Sequence, residues 1–135
     1  MKRKLTIAAT FAIAALVGTW GIQALHAQQP GFKRTILQKQ DLSAQGREAV
    51  MLVAEFAPGA AAGKHTHPGE EIGYVLEGSL VLEVEGKPPL TLKAGDAFFV
   101  EAGRVHDGKN PGNSAAKVVS TLVVEKGKPL ATPVK

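Results

Sequence analysis

Hydrophobic and polar residues alternate with a period of two along most of the chain that follows residue 47. In the first such run, one parity is apolar throughout: Val50, Leu52, Ala54 and Phe56. In a second run, Leu80, Leu82 and Val84 alternate with Val81, Glu83 and Glu85, so one face is apolar and the other largely acidic. Because successive side chains of a strand point to opposite faces, both runs predict β-strands.

Two further runs extend this pattern towards the C-terminal part of the sequence. Leu90 and Leu92 alternate with polar neighbours, and residues 118–124 form a β-branched run that we expect to be buried on both faces. Gly- and Pro-containing breakers separate all of these short segments. Short strands joined by frequent turns predict an all-β sandwich or barrel over residues 47–127. Residues 28–46 show no clear pattern and are interpreted as an N-terminal arm, and residues 128–135 as a tail.

The first 27 residues have the features of an export signal. A basic start of Lys2, Arg3 and Lys4 precedes an almost continuous apolar stretch, residues 5–22, and a small residue, Ala27. This order predicts a cleaved signal peptide at 1–27, with Gln28 as the mature N-terminus. The alternative is an uncleaved membrane anchor, since roughly 18 apolar residues can just span a bilayer. In either case the sequence predicts a periplasmic or secreted protein.

Charge and cysteine content exclude two classes of function. The formal net charge is +4, but the first four residues supply three of the 16 basic groups, which leaves 13 against 12 acidic ones in the remainder. This charge balance, without a stripe of Lys and Arg residues, gives no reason to expect nucleic-acid binding. Any membrane contact is expected only through an uncleaved N-terminal segment. The chain has no cysteine, so disulfides and thiolate metal sites are excluded.

The candidate chemistry lies in the three histidines that follow the export segment. His65 and His67 are two residues apart, so on a strand both imidazoles point to the same side. Glu71 follows after a Pro-Gly turn, and His106 lies in a separate segment. Three imidazoles and one carboxylate suit one divalent Fe, Mn, Ni, Zn or Cu ion. An octahedral ion would keep two positions open, whereas a tetrahedral ion would be closed by these four ligands.

The spacing of these residues resembles the two sequence motifs of the cupin superfamily. The first motif is matched by Gly59, His65, Thr66, His67, Glu71 and Gly78, and the second by Gly95, Glu101, Ala102, Gly103, His106 and Asn110. Only 16 residues separate the motifs, as in compact single-domain cupins. One departure is Glu101, which stands where the second motif usually has proline.

The resemblance implies a double-stranded β-helix, the cupin jelly-roll barrel, with a metal ion held by His65, His67, Glu71 and His106. It also implies a homodimer and a small-molecule ligand or substrate. We therefore predict a metal-dependent enzyme, with a quercetin-dioxygenase-like oxidoreductase favoured over an isomerase, decarboxylase or lyase. The alternative is a non-catalytic module that binds a metal or a small ligand.

Several residues near the motifs have two open interpretations. Glu70 competes with Glu71 as a ligand, although the motif spacing selects Glu71. Tyr74, Phe98 and Phe99 either line a substrate pocket or serve ordinary packing, and packing is favoured for at least two of them. Arg104 either binds a substrate carboxylate or is solvated.

Overall fold

The structure is a computed structural model that describes residues 29–135. These residues form ten strands and no α-helix. The strands are β1 (Phe32–Asp41), β2 (Arg47–Phe56), β3 (His65–Thr66), β4 (Gly69–Glu77), β5 (Ser79–Val84), β6 (Leu90–Lys93), β7 (Ala97–Val100), β8 (His106–Lys109), β9 (Ala116–Glu125) and β10 (Thr132–Pro133). Within that range no helix is long and apolar enough to cross a membrane. The predicted export segment lies outside the described residues.

Two five-stranded antiparallel sheets pack face to face and confirm the predicted jelly-roll barrel. The first sheet has the order β1-β2-β9-β4-β7, and the second has the order β10-β3-β8-β5-β6. The chain passes repeatedly from one sheet to the other, so residues distant in sequence meet inside the barrel. The prediction of an all-β double-stranded β-helix is therefore correct.

The core lies between the sheets and is built by the predicted alternation. In β2 the apolar parity from Val50 to Phe56 is buried, as expected. Strand β9 differs from its prediction, because only one parity is buried while Val119 and Val123 are partly exposed on the outer face. Leu90 is also half exposed, since β6 is the edge strand of the second sheet.

Both segments without a sequence pattern contribute strands to the barrel. The segment interpreted as an arm contains β1, which pairs along its length with β2 and has an irregularity between Ile36 and Gln38. The segment interpreted as a tail contains β10, which pairs with β3 and places Pro133 opposite His65. The two ends of the described chain therefore border the region that contains the histidines.

Candidate metal centre

Two strands and the loop after one of them bring the three histidines together. His65 on β3 is the direct register partner of His106 on β8, and His67 follows β3 immediately. One ring nitrogen from each histidine lies within 4.8 Å of the others. Ring centroids of the three pairs are 4.3, 4.7 and 5.0 Å apart. Such a cluster of three imidazoles could hold a metal ion.

Glu71 reaches the same point from the opposite sheet. It lies on β4, and its Oε2 is 3.3 Å from His67 Nε2 and 3.2 Å from His106 Nε2. Its neighbour Glu70 points to the other face of β4, because one residue of register reverses the direction of a strand side chain. The structure therefore clusters the three sequence-predicted histidines and places Glu71 beside two of them, His67 and His106.

Backbone carbonyl groups fix the orientation of all three imidazoles. The Nδ1 of His65 lies 2.6 Å from the Gly63 oxygen, and that of His106 lies 2.9 Å from the Arg104 oxygen. The Nδ1 of His67 lies 2.6 Å from the Leu130 oxygen, 63 residues further along the chain. A carbonyl oxygen only accepts hydrogen bonds, so each Nδ1 carries the proton and each Nε2 presents a lone pair.

When the imidazoles are neutral and protonated on Nδ1, the Nε2 lone pairs of His67 and His106 face the Glu71 carboxylate unless a proton or a metal ion lies between them. Within the described part of the chain, no hydrogen bond reaches the buried His106 Nε2. If His106 Nε2 carries no proton, this nitrogen and the Glu71 oxygen 3.2 Å away are both hydrogen-bond acceptors and repel each other. A cation between them removes this repulsion, and a divalent metal ion fits the nitrogen and oxygen donors.

The pKa values of the cluster follow from burial and from these close contacts. Burial lowers the pKa of His65 to about 4, outweighing the hydrogen bond to Gly63, so this imidazole is neutral at pH 7. Burial alone would raise the pKa of Glu71, but the neighbouring His106 and His67 hold it well below its usual range. For His106, burial opposes the shift, but Glu71 raises the pKa.

A largely apolar cavity, partly open to solvent, adjoins the cluster between the two sheets. Besides the histidines and Glu71, its walls include Phe32, Arg34, Leu52, Phe56, Phe98 and Ser120. Water-sized groups can occupy about 50 Å³ of it. One water needs at least roughly 10 to 15 Å³ by this measure, so the cavity has room for several such groups.

Gly73 gives the Phe98 ring its place in the cavity wall. Gly73 and Phe98 are register partners on β4 and β7. A Cβ atom at Gly73 would lie only 2.1 Å from the ring, so no larger residue fits there without moving the ring. The missing side chain of Gly73 therefore lets the ring lie against the backbone and line the cavity.

The other candidate residues from the sequence lie away from the cavity. Tyr74 and Phe99 are about half exposed on the outside of the first sheet, so of the three aromatic candidates only Phe98 lines the cavity. Arg104 is exposed and contributes its backbone carbonyl, while Glu101 pairs with Lys87 at 2.6 Å.

Sequence reasoning missed Arg34, whose side chain lines the cavity from β1. The sequence offered one signal for this position: Phe32 and Arg34 are two residues apart and would lie on the same face of a strand. The interpretation of residues 28–46 as an arm did not use this signal.

The part of the sequence that contains the four candidate metal ligands is similar to known proteins. Residues 52–124 match the family described as "Cupin domain". The HTH-type transcriptional regulator PuuR of Escherichia coli is 27% identical over 109 residues, which cover 69% of this chain and 58% of the regulator. Germin-like protein subfamily 2 member 2 of Arabidopsis thaliana is 39% identical over 73 residues, which cover 50% of this chain and 33% of that protein.

One solved structure with a bound small molecule is also similar. Oxalate oxidase in complex with the substrate analogue glycolate has a TM-score of 0.63 and 25% identity, over 77% of this chain and 55% of that one. The chain thus spans about half the length of the oxidase, and 58% or less of the two curated relatives above.

Proposed function

Since the chain belongs to the cupin domain family, as the match over residues 52–124 shows, we propose that it is an exported metal-dependent enzyme acting on a small organic molecule. One divalent transition-metal ion is bound by His65, His67, Glu71 and His106. The observation that carries this proposal is the cluster of three imidazoles, each oriented through Nδ1 by a backbone carbonyl, with the Glu71 carboxylate 3.3 and 3.2 Å from the Nε2 atoms of two of them.

The distances between the donor atoms support a shared ion. Two ligands about 2.1 Å from one ion lie about 3.0 Å apart at a right angle and about 3.4 Å apart at a tetrahedral angle. Glu71 Oε2 lies 3.3 and 3.2 Å from the Nε2 atoms of His67 and His106. Both separations fall in that interval.

The residues of the chain have separate tasks in this proposal. When bound, the ion supplies a Lewis acid that polarises a carbonyl or carboxylate oxygen of the substrate. Glu71 compensates part of the metal charge, and the backbone carbonyls keep the imidazoles in the ligating tautomer. Phe32, Phe56 and Phe98 exclude water, which strengthens electrostatic interactions inside the cavity.

The size of the cavity narrows the substrate class. Free space for several water-sized groups suits a molecule of a few heavy atoms. The likeness to oxalate oxidase with bound glycolate supports oxidoreductase chemistry on a substrate of that size. We therefore retain a dioxygenase-like oxidoreductase as the favoured activity, with small molecules of this size as its proposed substrates.

The alternative function is a binding module without turnover. Among the described residues that line the cavity, Glu71 is the one carboxylate, and the proposal already assigns it to the metal. No second carboxylate among these cavity residues is then available to act as a general base. This arrangement favours the module if the reaction requires proton transfer by the protein.

The metal site is tested by elemental analysis of residues 28–135 purified without added chelator. The wild type is expected to contain about one equivalent of a divalent transition metal, and His67→Ala and Glu71→Gln little. Thr66→Ala and Glu70→Gln are matched controls, because each alters an adjacent side chain of the opposite parity. Full metal content in both ligand variants would refute the site.

Turnover separates the enzyme from the binding module. Oxygen uptake and product formation are measured with glycolate, oxalate and small diketones after restoring each metal in turn. Turnover that disappears in Glu71→Gln but persists in Glu70→Gln supports the enzyme. Saturable binding with unchanged substrate and no oxygen consumption supports the module.

A further inference from the structure

We propose that Arg34 is a substrate-binding residue that selects a small carboxylate, which it binds at one end while the metal binds the other. The inference rests on the proposed metal site and adds the chemical class of its ligand. Arg34 lies on β1, outside the region 52–124 that matches the family. The positive charge that we assign to ligand binding is therefore not part of the matched region.

The position of Arg34 places it on the inner face of the first sheet. It is the register partner of Ala54, and both residues line the cavity. Phe32, two residues earlier on the same face, also lines it. Arg34 is therefore partly buried and lines the same cavity as His65 and Glu71, and it is close enough to Glu71 for a favourable charge interaction.

The charges around the cavity call for an anionic ligand. A divalent ion contributes two positive charges, Glu71 one negative charge, the neutral imidazoles none and Arg34 one positive charge. The sum is two positive charges against walls that are mainly apolar. In such surroundings an uncompensated charge costs more than in water, so one or two negative charges on the ligand stabilise the loaded site.

The chemistry of the guanidinium favours a carboxylate among anions of this size. Burial lowers the pKa of Arg34, and Glu71 opposes that shift, but an arginine stays protonated at neutral pH. Arg34 already takes part in an interaction within the protein. A guanidinium carries five N–H donors, and their planar arrangement matches the two oxygens of a carboxylate.

The cavity volume suits a short carboxylate. About 50 Å³ of the cavity is accessible to water-sized groups. Two- or three-carbon acids that carry a second oxygen for the metal are of this size.

The test is calorimetric titration of glycolate into protein of residues 28–135 loaded with Zn(II), which needs no turnover. Arg34→Gln removes the charge and is expected to weaken glycolate binding about 10- to 100-fold, the range for a lost charge-assisted pair. Arg34→Lys keeps the charge without the planar donors and should fall between. Lys33→Gln is the matched control, because Lys33 is the exposed neighbour on the opposite face of β1.

A neutral probe distinguishes charge recognition from general damage to the cavity. Glycolamide has nearly the shape of glycolate without its charge, so its affinity should be weak and nearly equal in wild type and Arg34→Gln. Zinc content and thermal unfolding are measured for every variant. Removing a cation near the ion is expected to preserve or raise zinc content.

The outcomes separate the two proposals. Weaker glycolate binding in Arg34→Gln, with zinc content and Lys33→Gln unchanged, supports the inference. Equal glycolate affinity in wild type and both Arg34 variants, with zinc bound, overturns the role of Arg34 and leaves the metal site intact. Absence of zinc from the wild type overturns the metal site and this inference with it.

Discussion

Removing the last six residues should weaken metal binding although it removes no ligand. A chain that ends at Pro129 loses the Leu130 carbonyl, which accepts the His67 Nδ1 hydrogen bond at 2.6 Å. The loss of such a supporting partner typically lowers metal affinity 10- to 100-fold, or roughly 1.4 to 2.7 kcal/mol. His67 can then rotate or take the other tautomer, in which Nε2 carries the proton.

A shorter truncation separates this effect from the loss of strand pairing. A chain that ends at Thr132 keeps Leu130 as an amide carbonyl but loses the Val134 N–H bond to the Lys64 oxygen. That backbone bond contributes about 1 kcal/mol to the free energy of unfolding. The Thr132 chain should therefore show slightly lower stability with nearly unchanged metal affinity.

The assay is competition for Zn(II) with a chromophoric chelator, together with the visible spectrum of the Co(II)-loaded protein. A change of ligand geometry alters the cobalt spectrum, whereas a purely structural loss of stability does not. Thermal unfolding in the presence of chelator gives the stability of each metal-free chain. Equal zinc affinity and identical cobalt spectra in the Pro129 and Thr132 chains would refute the role of the Leu130 carbonyl.

Three further predictions concern stability, the cavity wall and assembly. Zn(II) at 100 times its dissociation constant should raise the free energy of unfolding by about 2.7 kcal/mol, and excess chelator should reverse the shift; unchanged melting would contradict a metal site in the folded state. Gly73→Ala should cost about 1 to 3 kcal/mol in chemical denaturation and weaken glycolate binding, because its Cβ would displace the Phe98 ring; wild-type values for both would contradict the packing described. The predicted homodimer should give twice the monomer mass in light scattering, and Ile72→Glu, on the exposed apolar face of the first sheet, should halve it; a monomeric wild type would contradict the dimer.

The sequence predicted those parts of the fold that depend on side-chain alternation. The β2 pattern is regular because that strand lies between β1 and β9 and buries one of its faces. Prediction of the centre relied on the two-residue spacing of His65 and His67 and on the motif spacing to Glu71. These signals are local, so they survive without knowledge of the topology.

The elements that the sequence missed lack such signals. Strand β1 is an edge strand with most residues exposed, and its irregularity near Ile36 interrupts the alternation. Strand β10 spans two residues, and the Leu130 contribution is a backbone carbonyl, which any residue carries. Long-range strand pairing determines which residues from distant segments contact the histidines. Hydrophobic periodicity does not encode that pairing.

Arg34 lies outside residues 52–124. The residue that we propose to select the ligand is therefore separate in sequence from the residues that we propose to bind the metal. The proposed metal ligands all belong to the matched region, so related chains can inherit an equivalent centre while differing in the strand beside it. Exchanging residues 29–46 between two such chains should then transfer selectivity without altering which ion is held. When relatives are grouped by substrate, the residue equivalent to Arg34 should thus be more informative than the residues equivalent to the proposed metal ligands.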